Sequence, residues 1–300
     1  MSFKDSMLAL VIIVAWGLNF VVISVGVSDV PPLLLGGLRF LAVAAIGSLL
    51  VKRPNVPLRW WFSYALPIGF LQFAFLFVAM ANGMPAGLAS LVLQSQALFT
   101  MLFALVFLKE GVRLHQVLAI VLAGGGLVMI AVVSGVGDMT LVGFILTLFA
   151  AASWAVGNIG IKRLSQKGYQ MDIKLVIWSA WIPPLPFFIA SWFMEGPELM
   201  LAALTNISWS SIGALAYLAL IATILGYSLW GYLMGRYFAN QVAPLTLGVP
   251  VVGLTAAAVI LDETLLPLQW IGVCFVLLGL LMNTFGARLF YRIPMKVKEV

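Results

Sequence analysis

Charge is scarce in this 300-residue chain. Only 9% of its residues are aspartate, glutamate, lysine or arginine, whereas 63% are apolar. Soluble globular domains carry roughly 25% charged residues, so this composition excludes an ordinary soluble domain and indicates an integral membrane protein. The spacing of the apolar runs leaves no room for a separate soluble module. We therefore expect a single membrane domain over residues 1–300.

The chain also lacks the side chains on which most metal and catalytic sites depend. It has one cysteine, Cys274, and one histidine, His115, so neither a disulfide framework nor a Cys/His metal cluster is available. The sequence contains no GxSxG turn, no HExxH helix and no pair of carboxylates inside an apolar run. A membrane enzyme is therefore disfavoured, and no cofactor is expected.

Long apolar runs recur instead. A helix needs about 20 residues to cross a hydrocarbon core about 30 Å thick, and turn signals rich in proline and glycine separate runs of that length. The candidate spans are 8–27, 32–51, 61–81, 86–108, 115–134, 143–161, 174–193, 211–234, 241–261 and 268–287. The sequence thus predicts an all-α integral membrane protein with ten transmembrane helices.

Positive charge is confined to one side of the predicted membrane when the loops are numbered alternately. That side holds Lys4, Lys52, Arg53, Arg59, Lys109, Arg113, Lys162, Arg163, Lys167, Lys174, Arg236, Arg288, Arg292, Lys296 and Lys298. The opposite loops hold Asp29, Asp138, Glu195, Glu198, Asp262 and Glu263. Because lysine and arginine are retained in the cytoplasm, both termini are predicted to be cytoplasmic. The net charge of +6 follows from this topology, so no nucleic-acid partner is inferred.

One stretch of the chain occurs twice. Residues 108–129 align with residues 261–282 at a shift of 153 positions, and the same shift pairs Tyr64 with Tyr217. The identities within the stretch are Leu108/Leu261, Glu110/Glu263, Gln116/Gln269, Gly126/Gly279, Leu127/Leu280 and Met129/Met282. Weak sequence similarity between two stretches at a constant shift indicates an old duplication. We therefore predict two five-helix repeats, residues 1–137 and 138–300.

Five spans per repeat is an odd number, so the second repeat must enter the membrane from the opposite side. The duplication is then an inverted repeat. Such repeats suit a device that opens alternately to two sides, because the halves can exchange conformations about a site near the midplane. This topology predicts a transporter of a small-molecule substrate.

Polar side chains lie at membrane depth in spans 1, 3, 4, 6, 8 and 9. We predict that these spans line a central cavity, with spans 5 and 10 packed outside it. The candidate substrate-binding residues are Trp16, Asn19, Gln72, Gln94, Gln96, Trp154, Asn158, Tyr227 and Thr246. Residues two apart on a helix point about 200° apart, so at most one of Gln94 and Gln96 faces the cavity well. The alternative is that the amides bond across helices as packing contacts.

Prolines inside spans 3, 7 and 9 remove backbone donors. They are Pro67, Pro183, Pro184, Pro186, Pro244 and Pro250. The freed carbonyls are available to a substrate or to neighbouring helices, although a simple packing kink is the preferred interpretation in span 7. Small residues four apart, such as Ala119 and Ala123, permit close helix contact without requiring a dimer.

Arg39 is the only charged side chain well inside a span. It could pair with a substrate carboxylate, or it could snorkel outwards or hold helix carbonyls; the structural role is the one we favour. No carboxylate lies near the midplane, which favours a facilitator or exchanger over a proton antiporter. Glu110 and Glu263, at the ends of spans 4 and 9, are expected to tie helix ends to neighbours, and coupling through them stays open.

Seven segments carry a family resemblance. They are AWGLNF at 15–20, GLRF at 37–40, PAGLASLVLQSQALFT at 85–100, LKE at 108–110, SWAVGNI at 153–159, APLTLGVPVVG at 243–253 and LDE at 261–263. These segments resemble the EamA-type exporters of the drug/metabolite transporter superfamily, most closely the bacterial inner-membrane exporters of cysteine and O-acetylserine. The resemblance covers nearly the whole chain. It implies ten spans in an inverted five-plus-five repeat and efflux of amino-acid metabolites through a cavity between spans 1, 3, 4, 6, 8 and 9.

Two alternatives stay open. The chain could export other small metabolites or drugs, with or without proton coupling. From a different class, it could be a membrane receptor or scaffold that moves no solute. A channel is disfavoured, because rings of charge and a repeated filter loop are absent from the sequence.

The cavity assignment leads to a first prediction. Asn19→Ala, Asn158→Ala and Gln94→Ala should each impair transport while leaving membrane insertion intact, because each removes a polar group at membrane depth. Solute uptake and the amount of membrane-inserted protein are the two measurements. Full transport in all three variants would refute the assignment.

Overall fold

The structure is a computed structural model that describes residues 1–169, 171–237 and 239–291. Regular secondary structure over these residues is entirely helical. The long helices are α1 (Phe3–Asp29), α2 (Pro32–Leu50), α3 (Leu58–Ala81), α4 (Ala86–Leu108), α5 (Leu114–Val132), α6 (Leu141–Gln166), α7 (Ile173–Met194), α8 (Trp209–Arg236), α9 (Pro244–Ile260) and α10 (Pro267–Tyr291).

Nine of these described helices are long and apolar enough to cross a membrane by length and composition. The exception, α9, is a shorter apolar helix, which follows a single helical turn at Ala239–Val242. The chain is therefore a multi-pass membrane protein, as its composition predicts. A short helix that the sequence analysis did not predict, Pro197–Thr205, lies between α7 and α8.

Side-chain contacts show which helix ends lie together. Asp29, at the end of α1, contacts Ser208 just before α8, and Glu195, just after α7, contacts the start of α2. We call this end of the bundle, which carries Asp29, Glu195 and Glu263, the acidic end. The opposite or basic end carries the lysines and arginines of the loops after α2, α4 and α6. Arg292, Lys296 and Lys298 of the predicted basic side lie outside the described residues.

Helix packing follows a regular pattern. Helix α2 packs on α7, α4 on α9 and α5 on α10. In addition, α1 packs on α8 and α9, and α6 packs on α3 and α4. Exchanging α1–α5 for α6–α10 leaves this set of contacts unchanged. In these contacts the two halves of the chain therefore use corresponding helices.

The contact between α5 and α10 shows this correspondence at the level of atoms. A methyl group at Gly126 would lie 2.5 Å from the carbonyl oxygen of Gly272 and 2.8 Å from the nitrogen of Val276. A methyl group at Gly279 would lie 2.8 Å from the carbonyl oxygen of Ala119 and 2.7 Å from the nitrogen of Ala123. Each partner of Gly126 is 153 residues beyond the matching partner of Gly279. The helices are antiparallel, and backbone meets backbone at both glycines.

Departures from regular α-helix also occur at corresponding places. Wider π-helical turns run through Ala65–Gln72 in α3 and Tyr217–Leu225 in α8, and tighter 3₁₀ turns occur at Leu93–Ser95 in α4 and at Ala243–Leu247, at the start of α9. Two described non-glycine residues have positive φ, Lys109 at 55° and Asp262 at 54°, and they are 153 positions apart. The first π-helical segment contains Pro67, which lacks a donor N–H. The second contains no proline.

The α5–α10 contact makes a testable prediction. Gly126→Ala should lower the midpoint of thermal unfolding in detergent by a few degrees, because overpacking against backbone costs about 1–3 kcal/mol. Gly125→Ala is the matched control, since a methyl group there has no heavy atom within 4 Å. The control should unfold at or above the wild-type temperature, because alanine favours the helix by roughly 1 kcal/mol. Equal midpoints for the two variants would contradict the packing described.

Candidate functional site

A narrow cavity lies at mid-depth between α2, α3, α7 and α8. Its empty volume is about 330 Å³, distributed in clefts that leave room for about one water molecule. The polar and aromatic residues that line it include Arg39, Tyr64, Phe73, Ser179, Thr223 and Tyr227. Because α2 and α3 come from the first half of the chain and α7 and α8 from the second, both halves build the cavity.

The cavity lies where three helices are irregular. Both π-helical segments contribute to its wall, and α7 is interrupted at residues 180–183, where Pro183 also lines the cavity. Thr223 shows what a π-helical turn permits: its hydroxyl donates a hydrogen bond of 2.8 Å to the carbonyl of Leu218, five residues earlier. π-Helical geometry inside α-helices is rare and is frequently found at functional sites. The backbone therefore marks this cavity as a candidate site.

Arg39 is the charged group of the cavity. It lies near the middle of α2 and is only 2% exposed. Its Nη2 donates a hydrogen bond of 3.0 Å to the hydroxyl of Thr223, and its guanidinium carbon lies 4.0 Å from the centre of the Phe73 ring. Its Nε and Nη1 atoms have no partner in the described chain. Arg39 is therefore buried instead of snorkelling outwards, and among the described residues its hydrogen-bond partner is a hydroxyl on α8 and not a helix carbonyl.

Three of the predicted site residues lie at or beside this cavity. Tyr227 lines it. The Trp16 ring centre lies 5.4 Å from that of Tyr227, and its Nε1 donates a hydrogen bond of 3.0 Å to the carbonyl of Ala222. Trp154 packs against the cluster of Tyr64, Ile68 and Val176, all of which line the cavity. Aromatic rings from α1, α6 and α8 thus surround one part of the site.

Trp16 also lines a second, smaller crevice. This crevice, between α1, α8 and α9, has an empty volume of about 200 Å³ and no room for a water molecule. Thr246 is the predicted site residue that shares it. The other residues that line the crevice are apolar or aromatic, and Arg39 is not among them. Thr246 and Arg39 therefore line different cavities.

Two predicted amides bond to each other across helices. The Nδ2 atom of Asn158 on α6 donates hydrogen bonds of 2.9 Å to Oε1 of Gln96 and 3.0 Å to Oγ1 of Thr100, both on α4. This pair behaves as the packing contact that the sequence left as the alternative. Gln94, two residues before Gln96, is half-buried and lies outside this cluster.

Two other predicted amides are buried with an unpaired oxygen. Oδ1 of Asn19 and Oε1 of Gln72 have no hydrogen-bond donor among the described residues. An unsatisfied buried polar group costs about 1–3 kcal/mol. These two oxygens are therefore acceptors that a ligand or a water molecule would satisfy.

At the acidic end, carboxylates bind the starts of helices in the other half of the chain. The Glu263 carboxylate accepts hydrogen bonds from the backbone N–H groups of Ala86 (2.6 Å) and Gly87 (2.9 Å) at the start of α4. Glu195 does the same for Leu33 (2.7 Å) and Leu34 (3.2 Å) in α2. Helix N-termini attract negative charge and leave N–H groups without intrahelical partners. Burial raises the pKa of Glu263, and its two backbone donors oppose that rise.

The basic end is held differently. Glu110, which the repeat places opposite Glu263, forms an ion pair of 2.6 Å with Lys162, and both side chains are more than 40% exposed. Exposed ion pairs contribute about 0–1 kcal/mol. Both predicted carboxylates do tie helix ends to neighbours, but the contact at the acidic end is the more buried. Over the described residues no group of histidine, cysteine and acidic side chains could hold a metal ion.

The sequence analysis did not select Tyr64, Phe73 or Ser179. Phe73 is apolar, like most core residues, so nothing in the sequence distinguishes it. The Ser179 hydroxyl donates a hydrogen bond within its own helix, to the carbonyl of Val176. Tyr64 had a usable signal, because it pairs with Tyr217 at the repeat shift and lies three residues before Pro67. A tyrosine beside a proline inside an apolar span could have been added to the candidates.

Comparison with known proteins extends these observations. The sequence matches the EamA-like transporter family over residues 5–132 and again over residues 141–285. An Escherichia coli protein named "Probable amino-acid metabolite efflux pump" is 51% identical over 293 residues, covering 96% of this chain and 97% of its own. A Salmonella typhimurium protein of the same name is 50% identical over 290 residues, with the same coverage of the two chains.

The chain is also similar, at lower sequence identity, to a protein from another organism and to a solved structure. An uncharacterised transporter of Bacillus subtilis is 26% identical, covering 87% of this chain and 85% of its own. One crystal structure is similar over 97% of this chain and 100% of its own, with a TM-score of 0.63 and 18% sequence identity. At that identity the likeness concerns the fold alone.

The carboxylate contacts lead to a prediction about the two ends of the bundle. Glu263→Ala should destabilise the protein by about 1–2 kcal/mol, because it leaves two N–H groups at the start of α4 without a partner. Glu110→Ala is the matched control at the equivalent position and should cost less than about 1 kcal/mol. Thermal unfolding in detergent at neutral pH measures both. A larger loss for Glu110→Ala would contradict the difference described between the ends.

Proposed function

The chain belongs to the EamA-like transporter family, and we propose that it exports small neutral or zwitterionic metabolites, amino acids such as cysteine and O-acetylserine, across the bacterial inner membrane. The observation that carries this proposal is the cavity at mid-depth, built by both halves of the chain around Arg39. The two relatives named as amino-acid metabolite efflux pumps support the substrate class, since each is about half identical over nearly its full length.

The proposed architecture is ten spans in two inverted repeats, residues 1–137 and 138–300. The double match to the family supports the two repeats. The exchangeable helix contacts and the antiparallel α5–α10 pair support their inversion, because an axis in the membrane plane turns each helix over. In this architecture α9 and the turn that precedes it form the ninth span.

The proposed orientation places both termini in the cytoplasm. The basic end, with Lys52, Arg53 and Lys162 among its residues, is then cytoplasmic by the positive-inside rule. The acidic end faces the opposite side of the membrane. Export would carry a solute from the basic end to the acidic end.

Alternating access is the proposed mechanism. Part-buried contacts of Glu195 and Glu263 join the two halves of the chain at the acidic end, whereas Glu110, the residue equivalent to Glu263, joins them at the basic end through an exposed ion pair with Lys162. This asymmetry supports a cycle in which the two ends open in turn about the cavity. The corresponding turns on the two sides, at Lys109 and Asp262, are consistent with each half adopting the other's conformation.

The proposed binding residues are those predicted from the sequence together with the cavity lining. Tyr227, Trp16 and Trp154 supply aromatic surface at or beside the cavity. Asn19 and Gln72 supply buried oxygens without donors, which suit an ammonium or hydroxyl group of a solute. Gln94, Gln96, Asn158 and Thr246 would contribute after the helices that carry them move.

Proton coupling is the second candidate, and one observation favours it. The pKa of Glu263 is raised by burial at the end of a membrane span, so this carboxyl binds a proton more readily than an exposed glutamate does. A proton on Glu263 would remove the negative charge that the start of α4 attracts. Protonation could therefore loosen the acidic end.

Uptake of labelled cysteine and O-acetylserine into proteoliposomes tests both candidates. With purified protein and no gradient, each solute should equilibrate faster than in liposomes without protein. An imposed pH gradient should leave the final level unchanged for a facilitator, because no carboxylate lies at mid-depth. Accumulation driven by the gradient would support the coupled form, and Glu263→Gln should then reduce it more than Glu110→Gln. Uptake of neither solute would reject these substrates.

A further inference from the structure

The guanidinium of Arg39 is buried and incompletely bonded. It is 2% exposed, and one hydrogen bond, from Nη2 to Thr223, is its described polar contact. Nε and Nη1 keep their N–H donors without acceptors. Arginine stays charged inside proteins, and removal of one ion from water costs several kcal/mol unless hydrogen bonds and a counter-charge compensate. The described surroundings of Arg39 therefore lack both hydrogen-bond acceptors for Nε and Nη1 and a counter-charge.

The described chain does not supply the counter-charge. The ion pairs of these residues are Lys162–Glu110 and Arg236–Asp5, both at the basic end. The other described carboxylates bind helix starts and serine hydroxyls or lie in exposed loops. Arg39 faces hydroxyl groups and aromatic rings instead. None of the described carboxylates therefore supplies a counter-charge to Arg39.

The surroundings of Arg39 also hold it in place. The Phe73 ring lies 4.0 Å from the guanidinium carbon, and a second ring, that of Phe40, lies 5.6 Å away. The Thr223 hydroxyl, which accepts from Nη2, is itself fixed by its bond to the Leu218 carbonyl. The remaining N–H groups are thus presented in a defined direction. Such preorganisation reduces the entropy that binding costs.

We propose that Arg39 binds the carboxylate of the transported solute, so that the substrates of this protein are small molecules with a free carboxylate group, amino acids in particular. This inference rests on the proposed export function and narrows its substrate class. A single guanidinium balances one negative charge, which matches a carboxylate, whereas a phosphate group carries up to two negative charges. Tyr64, Tyr227 and Ser179 line the same cavity, and their hydroxyl oxygens can accept hydrogen bonds from the amine of such a solute.

A pair of ligands that differ only in the carboxylate tests the proposal. L-Cysteine and L-cysteine methyl ester keep the same thiol and amine, but the ester has no carboxylate charge. Each is titrated against the purified protein under reducing conditions, and the midpoint of thermal unfolding reports binding. The acid should bind at least about tenfold more tightly than the ester, since hydrogen bonds to charged groups are worth about 1.5–3 kcal/mol. The other amino acids are tested in the same way, each against its methyl ester.

Variants assign the preference to Arg39. Arg39→Gln should weaken binding of the acid about tenfold or more and leave binding of the ester unchanged, whereas Arg39→Lys should retain part of the preference. Thr223→Val, which removes the acceptor that positions Nη2, should weaken binding of the acid by a smaller factor. Arg53→Gln is the matched control, because Arg53 also stacks on an aromatic ring, that of Trp61 at 5.0 Å, but is exposed and lies outside the cavity. The control should leave both affinities unchanged.

The outcomes separate this proposal from the function on which it rests. Equal binding of acid and ester by the wild type, binding of no amino acid at all, or an acid preference that survives in Arg39→Gln would each overturn the role of Arg39. The wild-type comparison decides the question even if Arg39→Gln does not fold. Acid-selective binding without any uptake into proteoliposomes would reject export and keep the site. Equal uptake of the ester and the acid would support export and reject the carboxylate site at Arg39.

Discussion

The structure depends on one constraint: hydrocarbon offers no hydrogen bonds, so each backbone donor and acceptor must find a partner inside the chain. Helices satisfy this in their interiors but not at their ends, where the first N–H groups have no intrahelical partner. Glu195 and Glu263 supply acceptors for two such starts from the other half of the chain. The same contacts that satisfy the backbone therefore also join the halves.

The constraint is relaxed at the cavity. Two π-helical segments and an interruption in α7 surround Arg39, whose charge the described residues do not balance. Irregular backbone at membrane depth occurs where it is buried in protein or lines a cavity. Holding an uncompensated charge there costs free energy. A ligand that supplies the opposite charge would reduce that cost.

The helical architecture can be predicted from the sequence more readily than the surroundings of a single side chain. Spans are predicted from residue type summed over about 20 positions, and the repeat is predicted from sequence matches at a constant shift of 153 positions. Neither depends on where a single side chain points. The lining of a cavity, in contrast, depends on the direction of each side chain. Gln96 and Asn158 were selected together by depth, yet they satisfy each other across α4 and α6. Arg39 was judged by its distance from the helix end, whereas its partners on α3 and α8 decide its surroundings. The short helix Pro197–Thr205 escaped prediction because it is too short for the length criterion used for spans.

The α5–α10 contact has the form of an isologous interface, in which each partner offers the other the same surface. Gly126 meets Gly272 and Val276 as Gly279 meets Ala119 and Ala123. If the halves exchange conformations, the α5–α10 interface is the same before and after the exchange. The carboxylate contacts at the acidic end, in contrast, must break. The tight glycine packing thus occupies a place where rigidity does not oppose movement. A single five-helix unit would present this same surface to a second copy of itself, so the contact could have joined two separate chains before it joined two halves of one.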